Sequence, residues 1–168
     1  SEMCIRDRSN LYLEEACAAL EGTEAANVFS SGMGAITATI LQLCKSEDHI
    51  ISSRTVYGGT YAFLNNITPQ LKIETTFVDI TSLDDINNSI KPNTKIIYCE
   101  VSSNPLLEIA DLEEISKIAK KNNIKLVVDN TFTPLSVSPA KYGADVVIHS
   151  LTKFINGTSD TIAGVVCS

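Results

Sequence analysis

The chain has 168 residues, 44% of them hydrophobic, and its 13 Lys and Arg against 20 Asp and Glu leave a net charge of −7. That length suits one domain with a substantial core, and the acidic balance repels phosphate backbones and anionic lipid, which argues against nucleic-acid and membrane partners. No uninterrupted apolar stretch nears the roughly 20 residues that span a bilayer, and the polar start lacks the apolar core of a signal peptide, so a cytoplasmic protein is expected.

Residues 1–8, Ser-Glu-Met-Cys-Ile-Arg-Asp-Arg, resemble a translated sequencing adapter and are set aside as a non-native leader, so the domain is read over residues 9–168. Asn10 caps a first helix through Leu20, with Leu13, Ala16 and Leu20 as its inward stripe and Gly22 as its stop. A second helix follows from Gly32 to Cys44, with Ile36, Ile40 and Leu43 inward. Asp48 to Ser52 reads as a short strand, Gly58 to Asn66 as helix, and Lys72 to Val78 alternates as a strand does. Thr81 or Ser82, with Asp84 and Asp85 in the first turn, opens a helix that carries Leu83, Ile86 and Ile90 on one face. Lys95 to Cys99 is the next strand. Asp111 starts a helix with Leu112, Ile115, Ile118 and Ala119 inward, and two further strands run from Lys125 to Asp129 and from Asp145 to His149. Short runs of Ile and Val separated by helices predict an α/β fold, a mostly parallel sheet covered by helices on both faces. The chain stops at Ser168 with an apolar run barely begun, so it is read as truncated at both ends.

The cysteines at 4, 17, 44, 99 and 167 form an odd set without a C-x-x-C pair, which argues against disulfides and zinc. Cys99 reads as a small buried hydrophobe. His49 and His149 lack metal-ligand spacing and read as structural.

Chemistry gathers at strand ends. Ser150-Leu-Thr-Lys153 places an ε-amine and two hydroxyls after a strand, where the amine can take a carbonyl cofactor as a Schiff base and the hydroxyls can hold its phosphate. That pattern asks for pyridoxal phosphate. Phe29-Ser-Ser-Gly32-Met33-Gly enters a helix start, whose free N–H groups suit a phosphate, although paired glycines also serve a tight turn. The third glycine of a dinucleotide fingerprint would fall at Thr37, which argues against that alternative. Tyr57 precedes another helix start, where its ring can stack on a cofactor and share protons with substrate, or cap the core. Asp129 ends a strand and can pair with a protonated pyridine nitrogen, or cap the following turn. Asn104 can donate to a ring hydroxyl, and Asn-Pro is equally a turn signal.

As an ordered set, these segments resemble the Cys/Met-metabolism enzymes that depend on pyridoxal phosphate, the trans-sulfuration group. The resemblance is carried by Leu-Glu at 13–14, Leu-Glu-Gly at 20–22, Ser-Gly-Met at 31–33, Tyr57-Gly-Gly-Thr, Ser-Asn-Pro at 103–105, Val-Asp-Asn-Thr-Phe at 128–132, Gly-Ala-Asp at 143–145 and Ser150-x-Thr-Lys153. It implies the large cofactor-binding domain of fold type I, without the smaller C-terminal domain that supplies an arginine for the substrate carboxylate. It also implies Lys153 as the residue that carries the cofactor and shuttles protons, Asp129 at the pyridine nitrogen and Tyr57 stacked on the ring. Gly32, Met33, Ser150 and Thr152 would bind the phosphate, and Asn104 would contact the ring oxygen. The family's Tyr-x-Arg element, which reaches a neighbouring subunit's phosphate, has no counterpart in Arg6 and Arg8. Activity is expected to be γ-elimination or γ-replacement on cysteine-, homocysteine-, methionine- or O-acylhomoserine-type substrates, in a homo-oligomer arranged as a dimer of dimers. An aminotransferase, a cysteine desulfurase or a catalytically incomplete fragment stands as the alternative.

Overall fold

A computed structural model describes the backbone of residues 2–168 and the side chains from Arg8 onward. Its elements in chain order are α1 (Glu2–Glu21), β1 (Ala26–Phe29), α2 (Gly32–Leu43), β2 (His49–Ser53), α3 (Gly58–Ala62), β3 (Glu74–Val78), α4 (Leu83–Asn88), β4 (Thr94–Glu100), α5 (Leu112–Lys121), β5 (Lys125–Asp129), β6 (Val146–Ser150) and β7 (Gly164–Cys167). The strands form one sheet in the order β1-β7-β6-β5-β4-β2-β3. Pairs from β6 through β3 are parallel, while β7 runs antiparallel to both β6 and β1.

Both sheet faces are covered, as the unbroken apolar strands require. On one side Ile36 and Ile40 of α2 pack on Ile50, Ile96, Tyr98, Val127 and Ile148. On the other, Ile86 of α4 and Leu112 and Ile115 of α5 pack on Ile51, Ile97, Leu126 and Val128, and Cys17 of α1 meets Val147, Val165 and Cys167. Ser82 caps α4 and Asp111 caps α5, each accepting the N–H of the third residue on, which satisfies one of the donors a helix start leaves open.

Several expectations are corrected. The first helix begins at Glu2, so Asn10 lies inside it. Its stripe is displaced: Ala16 is exposed and Leu20 is 38% exposed, while Cys17, Ala18 and Glu21 turn inward beside Leu13. Glu21 is drawn in by polar partners that periodicity does not register. Gly22 ends the helix at φ +74, a conformation glycine tolerates. Helix α3 gives way to a π-turn at Phe63–Ile67 and a 3-10 turn at Thr68–Leu71. The apolar stretches at 26–29 and 164–167 are strands, each completed by the other. The side chain of Arg6 lies outside the described residues, and Arg8 is exposed.

Candidate functional site

A cavity of ≈ 910 Å³ opens at the carboxyl ends of the parallel strands, and Gly32, Met33, Tyr57, Asn104, Asp129, Ser150, Thr152 and Lys153 all line it. In open α/β sheets that edge is where ligands collect, because loops from several strands converge there.

The helix start at Gly32 forms one wall. Ser31 caps α2, its hydroxyl accepting the N–H of Gly34 at 2.9 Å. A Cβ on Gly32 would lie 2.6 Å from Ser150 Cβ and 2.8 Å from its Oγ. Glycine here is therefore a packing requirement that brings the start of α2 against Ser150. Gly164 of β7 backs the same turn, since its Cβ would lie 2.6 Å from the Ser31 carbonyl carbon and 2.9 Å from Gly32 Cα. Thr152 Oγ1 accepts from the Ala163 N–H at 3.1 Å and donates to its carbonyl at 3.2 Å, which ties the turn after β6 to the approach to β7.

Asp129 is 8% exposed. Its Oδ1 accepts the Thr131 N–H at 2.9 Å and its Oδ2 accepts the Tyr98 hydroxyl at 3.3 Å. Burial raises its pKa, opposed by the bonds from Thr131, the charge of His149 and the Tyr98 hydroxyl. The aspartate thus caps its turn and also presents a poorly solvated carboxylate to the cavity. Such a group gains from a cationic partner.

Tyr57 stands just before α3 with 59% of its surface exposed. It edges the cavity and does not cap the core. A Cβ on Gly59 would lie 2.7 Å from Tyr57 Cε1 and 3.0 Å from Met33 Sδ, so the absence of a side chain at 59 lets the tyrosine ring and Met33 approach one another. Lys153 is exposed in the turn after β6, and its ammonium makes no ion pair among the described residues. Phe132 and Phe154 meet edge to face with centroids 5.5 Å apart and add an aromatic wall.

Sequence reasoning assigned no role to Glu100. The carboxylate lies in the cavity, accepts the Tyr57 N–H at 2.7 Å, and has its pKa pushed up to about 7 by burial and by Asp129, against the pull of that hydrogen bond. A carboxylate closing a buried strand, four residues before Asn104, was the available signal. His49 is structural, its two ring nitrogens each 2.8 Å from a threonine hydroxyl, Thr94 and Thr76. Cys99 is fully buried, with its thiol pushed up to about 12 by burial. Among the described residues no cluster of His, Cys, Asp or Glu could hold a metal, and no helix is long and apolar enough to cross a membrane.

Sheet order, helix coverage and the strand-end cavity define the fold type I class of pyridoxal-phosphate-dependent enzymes. Within that class, the model of the Cys/Met metabolism PLP-dependent enzyme family matches residues 6–168, and the chain belongs to that family. It is 49% identical to methionine gamma-lyase of Arabidopsis thaliana over 159 residues, 94% of this chain and 36% of the relative. Cystathionine gamma-lyase of Bacillus subtilis is 48% identical over 92% of this chain and 41% of its own length. The crystal structure of metB from Corynebacterium glutamicum superposes with a TM-score of 0.91 at 41% identity, covering 93% of this chain and 41% of that one. The chain therefore spans about two fifths of the length of the proteins it matches.

Proposed function

We propose that this chain forms the pyridoxal-phosphate-binding part of an enzyme that carries out γ-elimination or γ-replacement on sulfur-containing or O-acylated amino acids. The observation that carries the proposal is the convergence of Lys153, Asp129, Tyr57 and the Gly32–Ser150 contact on one cavity. The groups present fit the cofactor: a helix start with packed glycine for its phosphate, a buried carboxylate for its ring nitrogen, an aromatic ring and an amine without an ion pair among the described residues. When bound, pyridoxal phosphate supplies an amine-trapping aldehyde and a cationic ring that withdraws electrons from the substrate's Cα.

The chain's residues do the rest. Amides of Gly32 and Met33 and the hydroxyls of Ser150 and Thr152 hold the phosphate. Asp129, whose carboxyl accepts from Thr131 and Tyr98, holds a proton on the ring nitrogen. Tyr57 covers the ring, Asn104 donates to its oxygen, and Lys153 Nζ removes and returns protons on the substrate. Four buried free cysteines, Cys17, Cys44, Cys99 and Cys167, support a reducing, cytoplasmic setting. Exposed Leu106, Leu107, Ile109, Leu135 and Ile162, at 58–80%, support assembly of the full-length protein with further copies of itself.

The test is titration of full-length apoprotein with pyridoxal phosphate, followed by visible absorbance. The unsubstituted chain is expected to develop the band of lysine-bound cofactor, and Lys153→Ala to lose it. An unchanged band in Lys153→Ala overturns the assignment. Assays for released thiol, sulfide and oxo acid, with and without an added thiol acceptor, then separate elimination from replacement.

A further inference from the structure

Glu21, within the Leu20-Glu21-Gly22 segment, has no part in the proposed reaction, yet its side chain is 2% exposed at the end of α1. Its Oε1 accepts from Asn130 Nδ2 at 3.0 Å and lies 2.6 Å from His149 Nε2. The Glu21 carbonyl accepts from Ser138 Oγ at 2.6 Å, and Asn130 also donates to the Val137 carbonyl at 2.9 Å. One carboxylate therefore grips two adjacent parallel strands at their carboxyl ends.

The residues it grips are neighbours of the cavity groups. Asn130 follows Asp129, and His149 precedes Ser150. The same strand ends are stitched by the Asn130 N–H to the Ile148 carbonyl at 2.8 Å and by the Ser150 N–H to Thr131 Oγ1 at 2.7 Å. Stability alone is a poor account of the arrangement, because Glu21 Oε2 and His149 Nδ1 are buried without a hydrogen-bond partner among the described residues. Unpaired buried polar atoms cost stability, and an apolar pair of similar volume commonly serves as well or better.

We infer that Glu21 is a positioning residue which, through Asn130 and His149, fixes the ends of β5 and β6 and so sets Asp129 against the Ser150–Lys153 turn. The inference rests on the pyridoxal-phosphate reading above. Its test uses the full-length chain, with cofactor Kd from the visible-band titration and the thermal midpoint of the apoprotein. In the double variant Glu21→Leu/His149→Leu the midpoint is expected to hold or rise, while Kd weakens by roughly tenfold or more. Glu21→Gln keeps an acceptor oxygen for both arms and is expected to stay within about threefold of the unsubstituted Kd. An unchanged Kd in the double variant overturns the inference, as does a Glu21→Gln that weakens binding as much as the leucine pair. If the double variant does not fold, His149→Asn, which breaks the β6 arm alone, is read in the same titration, and a Kd within about threefold of the parent overturns the inference. Failure of the unsubstituted chain to bind cofactor overturns the proposed function and this inference together.

Discussion

A single carboxyl can carry a measurable pH dependence when its surroundings change between the folded and unfolded chain. Glu100 is such a group, raised from 4.5 to about 7 chiefly by burial. For an acid raised on folding, stability is fully present below the unfolded value and is lost as pH rises through the folded one. The span from 4.5 to about 7 corresponds to roughly 3 kcal/mol at its upper bound. Glu100→Gln keeps an acceptor for the Tyr57 N–H and removes the charge, so the apoprotein variant is expected to be more stable than the parent near pH 8 and equal near pH 4. Denaturant unfolding at the two pH values checks this, and equal gaps would remove the buried charge as the cause. Gly32 offers a second residue-level test. A methyl there meets Ser150 Cβ at 2.6 Å, so Gly32→Ala is expected to cost about 1–3 kcal/mol by overpacking and to weaken pyridoxal phosphate binding by roughly tenfold. Ser150→Gly in the same chain relieves the clash, and the double-mutant cycle should show the stability costs to be non-additive.

At the level of elements, α5 carries its instructions locally. Asp111 accepts the Glu114 N–H at 3.1 Å, Glu113 and Glu114 occupy the first turn, and Lys120 and Lys121 the last, each sign matched to the helix dipole. Asp111→Ala is expected to cost about 1 kcal/mol in chemical denaturation. Ile115→Ala, at a fully buried position, is expected to cost roughly 2–5 kcal/mol; a smaller loss at 115 than at 111 would contradict the packing described. Elements of this kind were legible because caps and apolar spacing lie within a dozen residues. Gly32, Asp129 and Lys153 stood out as a strand-end set, since each sits at a junction marked by a change from strand to helix pattern, and all three line the cavity. The inward face of α1 was not, because Glu21 is buried by Asn130 and His149, more than a hundred positions along the chain. The environment of Glu100 was hidden for the same reason: it is assembled from Tyr57 and Asp129, both distant along the chain. Strands β1 and β7, four residues each, carry too little alternation to stand out, and pair across the whole length of the chain.

At the scale of the molecule, that last pairing decides whether the Gly32–Ser150 wall of the cavity exists. Strand β7 lies between β1 and β6, runs against both, and delivers Gly164 to the back of the Ser31–Gly32 turn. Ala25 and Ser168 exchange N–H···O bonds of 2.9 and 3.0 Å, so by the alternation of an antiparallel ladder the Asn27 and Phe29 amides face β7 as well. The Val28 N–H points the other way and is taken by Glu14 Oε1 at 2.9 Å, which leaves α1 guarding that edge. A full-length chain in which Val165 and Val166 are both replaced by proline cannot complete this ladder. In native-state hydrogen exchange its Asn27 and Phe29 amides are expected to become fast while Leu126 to Val128, in the middle of the sheet, stay slow. Phosphate-competed binding of pyridoxal phosphate should weaken in parallel, because Gly32 then loses the strand that holds its turn against Ser150. Continued protection of Asn27 and Phe29 in that variant would mean that β1 is held by α1 alone, and the wall would have to be explained without β7.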